Sequence, residues 1–378
     1  MKKLISKLIK PCIVFESKPE FPDNTMAVYQ EMLRRGLDRR YRLVWYVNWD
    51  KCAGMHNGRL EYWDPHNRKT IAGKIRNYSY FFKTRCIICC NDFLKARGDG
   101  CLFQGKDKLS FYLSHGTPMK SVKEYYTCED GVDYILSPAP ALNTLMASEF
   151  SFSEDQVFAA GFPRNDAFSG EKIDLRAKLK RDFKKVMIWY PTYRQHKNGK
   201  VSTSTVALPI IHDVMKAKQL NETARDNNVL ILLKPHPAQD VSLIRDLGLS
   251  NVLMIDESFF EEHDITSYQL LASSDALITD YSSVYFDYTL CDKPIAVIWE
   301  DIEEYSKFPG FAIDLTFYLK GAEKVYNLEE LQSFVRDVAE GRDKLQAERR
   351  EIRDLCNYST DGRNSKRVVD FIVKTAKL

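Results

Sequence analysis

Residues 277–288 read LITDYSSVYFDY, and this stretch decides the expected fold. The apolar run Leu277–Thr279 predicts a buried strand, and the residues from Ser283 onward predict an amphipathic helix directly after it. A strand that passes into a helix in this way is a unit of an α/β sheet. Because the first N–H groups of a helix lack internal partners and attract anions, Asp280, Ser282 and Ser283 mark a candidate phosphate site. A simpler interpretation is that Asp280 or Ser282 only caps the helix.

A second predicted strand, residues 229–233, ends in the sequence KPHP at 234–237. The two prolines fix φ and favour extended neighbours, which places Lys234 and His236 at the C-terminal edge of a strand. Open α/β sheets bind their ligands at that edge. A histidine in such a loop is also commonly a structural residue, so this segment alone leaves the role of His236 open.

A third segment has the same organisation. Residues 109–114 alternate like a strand and are followed by HGTPMK at 115–120. Gly116 allows the backbone to approach a ligand closely, and Lys120 adds a cation a few residues after His115. A tight turn that needs Gly and Pro only for its geometry is the alternative.

Two further segments each place an arginine after an apolar run, GFPRND at 161–166 and WYPTYR at 189–194. The planar guanidinium groups of Arg164 and Arg194 suit phosphate oxygens. Arginines in such places also commonly pair with a carboxylate, and the sequence leaves both interpretations open.

Predicted strands alternate with helical patterns along the chain, which indicates two α/β domains. A strongly charged stretch at 166–182 separates them, so we expect an N-terminal domain at 1–168 and a C-terminal domain at 169–355. Residues 356–378 are expected to form a helix that packs back on the N-terminal domain. The predicted strands cover residues 12–17, 41–48, 84–91, 109–114, 134–137, 157–160, 186–190, 229–233, 252–255, 276–279 and 294–299.

Together these segments resemble the CDP-glycerol glycerophosphotransferases, which build wall teichoic acid and related glycerol-phosphate polymers in bacteria. The resemblance spans roughly residues 13 to 300 in the order of the family, too long for a chance motif match. It includes an opening piece, Phe15–Ser17 with Asp23 and Asn24. The chain lacks the long N-terminal extension of some polymerase members, which gives no support to processive polymerisation and leaves transfer of a single unit open. The matching motifs are HGTP with Lys120, GFPRND, PTYR, KPHP and TDYSS.

The resemblance implies a GT-B-like fold, in which two Rossmann-like domains face a central cleft. It also implies a reaction. An acceptor hydroxyl, on a lipid-linked or polymeric glycan, attacks CDP-glycerol, glycerol phosphate is transferred and CMP leaves. The N-terminal domain is then the acceptor side and the C-terminal domain binds CDP-glycerol, which serves as a co-substrate with no separate cofactor.

Roles for individual residues follow from this resemblance. His115 is expected to be the general base and His236 the second catalytic histidine, and the two roles are interchangeable at this stage. Asp280 is expected to orient a histidine or a donor hydroxyl, and Asp287 to face the same site. The expected substrate-binding residues are Lys120, Arg164, Thr192, Arg194, Lys234, Asp280, Ser282, Ser283 and Asp287.

Other functions remain open. A CDP-ribitol-dependent transferase and a GT-B glycosyltransferase that uses a UDP-sugar would have the same fold and a different donor. A non-catalytic module would use the cleft only to bind a polymer or a nucleotide. Cys86 and Cys89 have the spacing of half a zinc site, but no second pair follows at the expected distance, so no metal site is expected.

Composition restricts the partners and the compartment. The net charge of +3 is spread along the chain, which gives no support to nucleic-acid binding. The nine cysteines are odd in number and scattered, as is typical of a reducing cytosol. Residues 2–10 alternate lysines with Leu and Ile, which predicts a short basic helix on the anionic inner face of the membrane. We therefore expect a cytoplasmic enzyme with peripheral membrane contact, and its oligomeric state is open.

Overall fold

The structure is a computed structural model, and the chain divides into two compact units. Unit 1 comprises Met1–Thr117, Lys123–Asp166 and Asp361–Leu378, and unit 2 comprises Pro118–Val122 and Ala167–Thr360. The residues whose structure is described are 10–17, 23–47, 60–63, 70–90, 108–123, 132–192, 208–235, 242–307 and 310–378.

Unit 1 contains a seven-stranded parallel sheet in the order β3-β2-β1-β4-β5-β6-β7. The strands are β1 Cys12–Glu16, β2 Arg42–Tyr46, β3 Glu61–Trp63, β4 Thr84–Cys89, β5 Leu109–Tyr112, β6 Tyr134–Ser137 and β7 Val157–Ala159. The α-helices described in this unit are α1 Asn24–Arg34, α2 Ile71–Lys83, α3 Asn143–Phe150 and, from the end of the chain, α14 Asn364–Thr375.

Unit 2 contains a six-stranded parallel sheet in the order β10-β9-β8-β11-β12-β13. Its strands are β8 Lys185–Trp189, β9 Val229–Leu233, β10 Val252–Met254, β11 Ala276–Thr279, β12 Ile295–Ile298 and β13 Glu323–Val325. Its α-helices include α4 Leu175–Leu179, α5 Val214–Asp226, α6 Ser242–Arg245, α7 Glu257–His263, α8 Ser267–Ser273, α9 Val284–Tyr288, α10 Ile302–Lys307, α11 Leu315–Tyr318, α12 Leu328–Glu340 and α13 Gln346–Cys356.

All eleven predicted strands are found, with ends that differ by at most two residues. The strands β3 and β13 were not predicted. Each is three residues long and forms an edge of its sheet. Periodicity over three residues carries too little signal, and an edge strand needs no continuous apolar run because it is paired on one side only.

The two sheets have the same strand order, and in each the order reverses at one place. In unit 1 the reversal lies between β1 and β4, and in unit 2 between β8 and β11. Loops that leave neighbouring strands at such a reversal diverge to opposite faces of the sheet. The crevice between them is the usual ligand site of open parallel sheets.

The last helix, α14, completes the core of unit 1. Its side chains Val368, Val369 and Ile372 are fully buried. They lie in one cluster with residues of the central strands, among them Ile13 of β1 and Phe111 of β5. Burial of three such aliphatic groups contributes roughly 5–9 kcal/mol as an upper bound, so the end of the chain is part of this fold.

Candidate active site

His115 follows strand β5 in a sharply turned loop. The preceding residue, Ser114, has φ of 57°, and Gly116 has φ of 134°. The His115 side chain is 57% exposed, and its Nδ1 is paired with the Oδ2 atom of Asp23. Because an ionised carboxylate can only accept, Nδ1 carries the imidazole proton and Nε2 keeps a free lone pair. That arrangement prepares Nε2 to accept a proton.

Asp23, which lies between β1 and α1, is the partner that imposes this arrangement. Its other oxygen, Oδ1, accepts hydrogen bonds from Arg164 Nη1 at 2.7 Å and from the N–H of Asn24 at 2.8 Å. Burial alone would raise the pKa of the Asp23 carboxyl, but the Arg164 guanidinium and the His115 imidazole hold that pKa well below its usual range. Asp23 is therefore ionised throughout the physiological pH range.

The backbone of Asp23 is strained. Its φ is 77° and its ψ is −161°, a region that few residues other than glycine occupy. Such a conformation costs on the order of 1–3 kcal/mol and persists only where the surrounding contacts impose it. Here those contacts are the bonds of its carboxylate to His115 and Arg164.

The side chain of Asn24 ties three loops of unit 1 together. Its Nδ2 donates to the carbonyl oxygens of Leu113 and Ser114, at 3.2 and 3.0 Å. Its Oδ1 accepts from the backbone N–H of Arg164 at 3.1 Å. Asn24 is fully buried. These bonds therefore fix the backbone directly before His115 and the backbone at Arg164, beside the His115–Asp23 pair.

Arg164 lies beside the predicted base. Its side chain is 6% exposed, and its Nη1 donates to the Asp23 carboxylate and, at 3.0 Å, to the carbonyl oxygen of His115. The sequence left Arg164 either to bind phosphate or to pair with a carboxylate, and the structure shows the pair with a carboxylate. A diphosphate contact of Arg164 remains a prediction.

The rest of the segment at 161–166 holds helix α14. Asp166 accepts hydrogen bonds from the N–H groups of Asn364 and Ser365, at 2.7 and 2.9 Å. Gly161 has φ of +80°, and a Cβ atom placed on it would lie 2.3 Å from Oδ1 of Asn364. Glycine is therefore required at 161 both by the backbone conformation and by the close approach of α14.

In unit 2 the reversal of the strand order is bridged by Asp280 and Thr192. Asp280 follows β11, is fully buried and accepts the N–H of Thr192 at 3.0 and 2.9 Å and also its hydroxyl. Thr192 follows β8, the neighbouring strand. The carboxylate of Asp280 thus holds together the two loops that diverge at this point.

The helix that was expected to be amphipathic after Ser283 is not. Helix α9 has five residues, and every one of them is buried. The polar pattern of the sequence was misleading because the tyrosine hydroxyls find internal partners, for instance Tyr285 Oη with the carbonyl oxygen of Tyr318 at 2.8 Å. Ser282 Oγ accepts a long bond of 3.5 Å from the N–H of Val284, and Ser282 and Ser283 are both partly exposed.

Three other predicted site residues lie in unit 2. Lys234 directly follows β9, and its Nζ is 3.0 Å from Oε1 of Glu257. Asp287 is 1% exposed and accepts a hydrogen bond of 2.8 Å from Tyr268 Oη. Lys120 belongs to this unit through a β-bridge with Phe311. Its Nζ lies 5.9 Å from the centre of the Tyr305 ring.

His236 and Arg194 fall outside the described residues, as does the predicted helix at 2–10 except for its last residue. Sequence reasoning missed the pairing of Asp23 with His115 and the proximity of Cys90, which directly follows β4, to both residues. The available signal was the Asp-Asn pair before an amphipathic helix, which is typical of a helix N-cap. Nothing in that pattern indicates a contact with a histidine in another loop.

A comparison with protein families shows to which family the sequence belongs. The sequence profile of the family CDP-glycerol:poly(glycerophosphate) glycerophosphotransferase matches residues 2–374. The chain belongs to this family. The expected family and the expected class of enzyme, a glycerophosphotransferase, are confirmed by that match.

Individual relatives include both glycerol and ribitol enzymes. The chain is 27% identical to the teichoic acid glycerol-phosphate transferase of Staphylococcus aureus, over 98% of this chain and 95% of the relative. It is 25% identical to the teichoic acid poly(glycerol phosphate) polymerase of Bacillus subtilis, over 96% of this chain and 48% of the polymerase. The chain therefore spans about half the length of that polymerase. A teichoic acid ribitol-phosphate primase of Bacillus spizizenii is 29% identical over 64% of this chain and 59% of the primase.

Solved structures show the same fold. The wall teichoic acid polymerase TagF, in a crystal soaked with CDP-glycerol, superposes with a TM-score of 0.73 at 24% identity, over 99% of this chain and 92% of that chain. A UDP-GlcNAc 2-epimerase from Neisseria meningitidis superposes with a TM-score of 0.54 at 14% identity, over 97% of this chain and 100% of that chain. These likenesses concern the fold, and they confirm the expected GT-B-like class with two Rossmann-like units.

Proposed function

We propose that this glycerophosphotransferase transfers glycerol phosphate from CDP-glycerol to a hydroxyl of a lipid-linked or polymeric glycan, in the synthesis of teichoic acid or a related surface polymer. CMP is the leaving group. The observation that carries the proposal is the pairing of the exposed imidazole of His115 with the buried, ionised Asp23. The chain belongs to a family of glycerophosphotransferases, and in this proposal the pair supplies the base for the attacking hydroxyl.

His115 is the general base in this proposal. Nδ1 donates to Asp23, so Nε2 is the atom that takes the proton of the acceptor hydroxyl. The imidazolium formed in that step is stabilised by the adjacent carboxylate, whose own charge is maintained by Arg164. A positioned base of this kind contributes roughly 10²–10⁴-fold to the rate.

Unit 2 supplies the donor-binding groups in this proposal. The ammonium group of Lys234 would neutralise charge on the diphosphate, and the partly exposed Ser282 and Ser283 would donate hydrogen bonds to its oxygens. Positioning and charge neutralisation dominate phosphoryl transfer. Asp280 and Thr192 join the loop that carries the two serines to the loop after β8. Lys120, Asp287, His236 and Arg194 keep the substrate-site or catalytic roles that the family resemblance implies. CDP-glycerol is a co-substrate, and the reaction needs no separate cofactor.

The test is release of the nucleotide product from a panel of donors. Purified protein is incubated with an acceptor and with CDP-glycerol, CDP-ribitol or UDP-sugars, and CMP and UDP are quantified. We expect CMP from CDP-glycerol. Turnover with CDP-ribitol alone would assign the enzyme to the ribitol branch of its relatives, and UDP release alone would contradict the proposal.

His115→Gln separates catalysis from binding. Glutamine keeps hydrogen-bonding capacity at this position but cannot act as a base at neutral pH. We expect kcat to fall at least about 10²-fold while the Kd for CDP-glycerol stays within about threefold. The control is His263→Gln, since His263 ends helix α7 and pairs with the carbonyl oxygen of Phe259 at 2.9 Å. A kcat for His115→Gln equal to that of the control would remove His115 from the mechanism.

We further propose that the enzyme acts on the cytoplasmic face of the membrane and that helix α2 is its contact with anionic lipid. Among the described residues, no helix has the length and apolarity to cross a bilayer. Helix α2 instead exposes an apolar stripe with helical spacing, comprising Ile71 (79% exposed), Ile75 (61%), Tyr78 (63%) and Phe82 (72%). An exposed stripe of this size on one face marks an interaction surface.

The charge of helix α2 favours lipid as the occupant of that stripe. The helix carries two exposed cations, Lys74 and Arg76, and a partly exposed one, Lys83, and has no acidic residue. Gly73 and Tyr80, on the opposite face, are buried against the unit. Apolar and aromatic side chains flanked by cations are typical of helices that lie in the interface of an anionic bilayer.

A further inference from the structure

Three chemically different ligand atoms converge beside the proposed base. The Sγ atom of Cys90, a carboxylate oxygen of Asp23 and a ring nitrogen of His115 lie within 4.8 Å of one another. They come from the loops after β4, β1 and β5. Two of these strands, β1 and β4, are the neighbours at which the strand order of unit 1 reverses. No sequence pattern indicates this set, because each residue lies in a different loop.

We propose that Cys90, Asp23 and His115 form an inhibitory site for a divalent metal ion of the zinc type. The consequence for activity rests on the proposed function of His115 as the base. The binding of the ion itself does not. Thiolate sulfur, imidazole nitrogen and carboxylate oxygen are the three ligand types of zinc, and three protein ligands with one open position is a common zinc arrangement.

The burial of the three groups suits such a site. Cys90 is fully buried and the Asp23 side chain is 9% exposed, whereas His115 is 57% exposed. The exposed imidazole gives an ion access from solvent and leaves room for water as a fourth ligand. Bonds of about 2.0–2.3 Å in tetrahedral geometry require small movements of the ligating side chains, and the exposed imidazole is the one with room to move away from the carboxylate.

The groups around the site influence how tightly it binds a metal ion. Arg164 holds Oδ1 of Asp23, so Oδ2 is the oxygen left for the ion. The carboxylate of Glu16 and the hydroxyl of Thr25 also act on the Cys90 thiol. Burial raises the pKa of that thiol well above its usual value, so the ion must displace a firmly held proton. A hard ion such as Mg²⁺, which has little affinity for sulfur, is not expected to do this.

The proton balance explains inhibition. Binding releases the Cys90 thiol proton to solvent. The imidazole proton leaves Nδ1, where the ion binds, and returns from water to Nε2, so His115 stays neutral and one proton is released per ion. With its only N–H at Nε2, the imidazole can no longer accept a proton from a hydroxyl. The bound ion thus blocks the base, His115, without contacting the CDP-glycerol donor.

The binding experiment uses the full chain and Co²⁺ as a spectroscopic substitute for Zn²⁺. After chelator treatment, we expect a thiolate-to-cobalt charge-transfer band and release of one proton per ion in lightly buffered solution. Cys90→Ser should abolish the band. The matched control is Cys89→Ser, since Cys89 is the neighbouring buried cysteine and its Sγ donates to the carbonyl oxygen of Phe111 at 3.6 Å. A wild-type protein without the band and the proton release would overturn the proposal, as would a folded Cys90→Ser protein that keeps the band.

The activity experiment measures CMP release in the presence of Zn²⁺, relative to the uninhibited rate of each variant. We expect inhibition of the wild type that a chelator reverses, and an inhibitory concentration at least tenfold higher for Cys90→Ser than for Cys89→Ser. Equal sensitivity of the two variants would overturn the inhibitory role. If no CMP is released under any condition, the proposed function fails, while the absorption and proton measurements still decide whether the ion binds.

Discussion

At the scale of single residues, the carboxylate of Asp23 has the largest influence on the candidate site. It pairs with the exposed His115 and the buried Arg164, and it caps helix α1 through the N–H of Asn24. The family resemblance contained Asp23 and Asn24 as an opening motif, but it gave them no role. Their role depends on contacts with loops that lie far away along the chain.

The stability contributed by Asp23 should depend on pH. Its folded-state pKa lies below the unfolded value of 3.8, so the contribution is complete above about pH 4 and is lost as the pH falls through the folded-state value. We expect Asp23→Asn to lower the free energy of unfolding by about 3 kcal/mol at pH 7, because Arg164 loses its buried partner. Urea titrations of the variant and the wild type at pH 7, 5, 4 and 3 should show this difference narrowing below pH 4.

The control for this measurement is Asp256→Asn. Asp256 also has a lowered pKa, chiefly from its bond with Ser258, but it is an exposed N-cap of helix α7 that asparagine can replace. We expect its effect to stay within about 1 kcal/mol at each pH. A difference for Asp23→Asn that does not change between pH 7 and pH 3 would show that its charge is not what stabilises the fold.

At the scale of elements, the segment at 161–166 makes two sets of contacts, one with the loop of His115 and one with helix α14. Arg164 extends to the base, and the residues on either side of it hold helix α14. From its sequence, this segment left Arg164 as either a phosphate ligand or the partner of a carboxylate, and the family resemblance implied substrate binding. The attachment of α14 was not predictable, since it requires Asn364 and Ser365 to return from the end of the chain.

Gly161→Ala tests this attachment. The added Cβ would lie 2.3 Å from Asn364, in a backbone conformation with φ of +80°. The conformational penalty of about 1–2 kcal/mol and an overpacking penalty of about 1–3 kcal/mol together predict a loss of roughly 2–5 kcal/mol in the free energy of unfolding. Urea unfolding followed by tryptophan fluorescence measures it.

Gly248→Ala is the matched control for that measurement. Gly248 also has a positive φ, of +60°, but a Cβ on it would meet no atom within 4 Å. Only the conformational penalty of about 1–2 kcal/mol then applies. If both variants lose the same free energy, α14 does not pack on Gly161 as described.

At the scale of the whole molecule, helix α2 is the surface that is expected to bring the enzyme to lipid. Ile75→Ser with Phe82→Ser removes two of its four exposed apolar side chains. Since each buried side chain of this type contributes about 1.5–3 kcal/mol, we expect at least a tenfold loss of partition to phosphatidylglycerol vesicles in a sedimentation assay. Higher salt should also weaken partition of the wild type, because the cations of the helix are screened.

The control for the vesicle assay changes two apolar side chains elsewhere. Met215→Ser with Phe317→Ser removes groups that are 67% and 45% exposed on helices α5 and α11. This variant should partition like the wild type. Equal losses in the two variants, or equal binding to phosphatidylcholine and phosphatidylglycerol, would contradict α2 as an anionic-lipid surface.

The amino-acid sequence by itself determined the alternation of strands and helices, the α/β class and the family, because these depend on local periodicity and on short motifs at strand ends. It also placed His115, Asp280 and the serines at 282–283 at such ends. The sequence did not predict the buried character of α9 or the short edge strands β3 and β13, where the local pattern is weak or ambiguous.

Only the tertiary structure decided which strand ends are neighbours. The order of each sheet brings the loop of Asp23 to those of Cys90 and His115, and the loop of Thr192 to that of Asp280. The physical reason is that parallel pairing joins strands that are distant in sequence, and no local pattern encodes their order. Three features follow from that order. They are the position of the imidazole proton of His115, the pairing of Arg164 with Asp23, and the cluster of sulfur, nitrogen and oxygen ligand atoms.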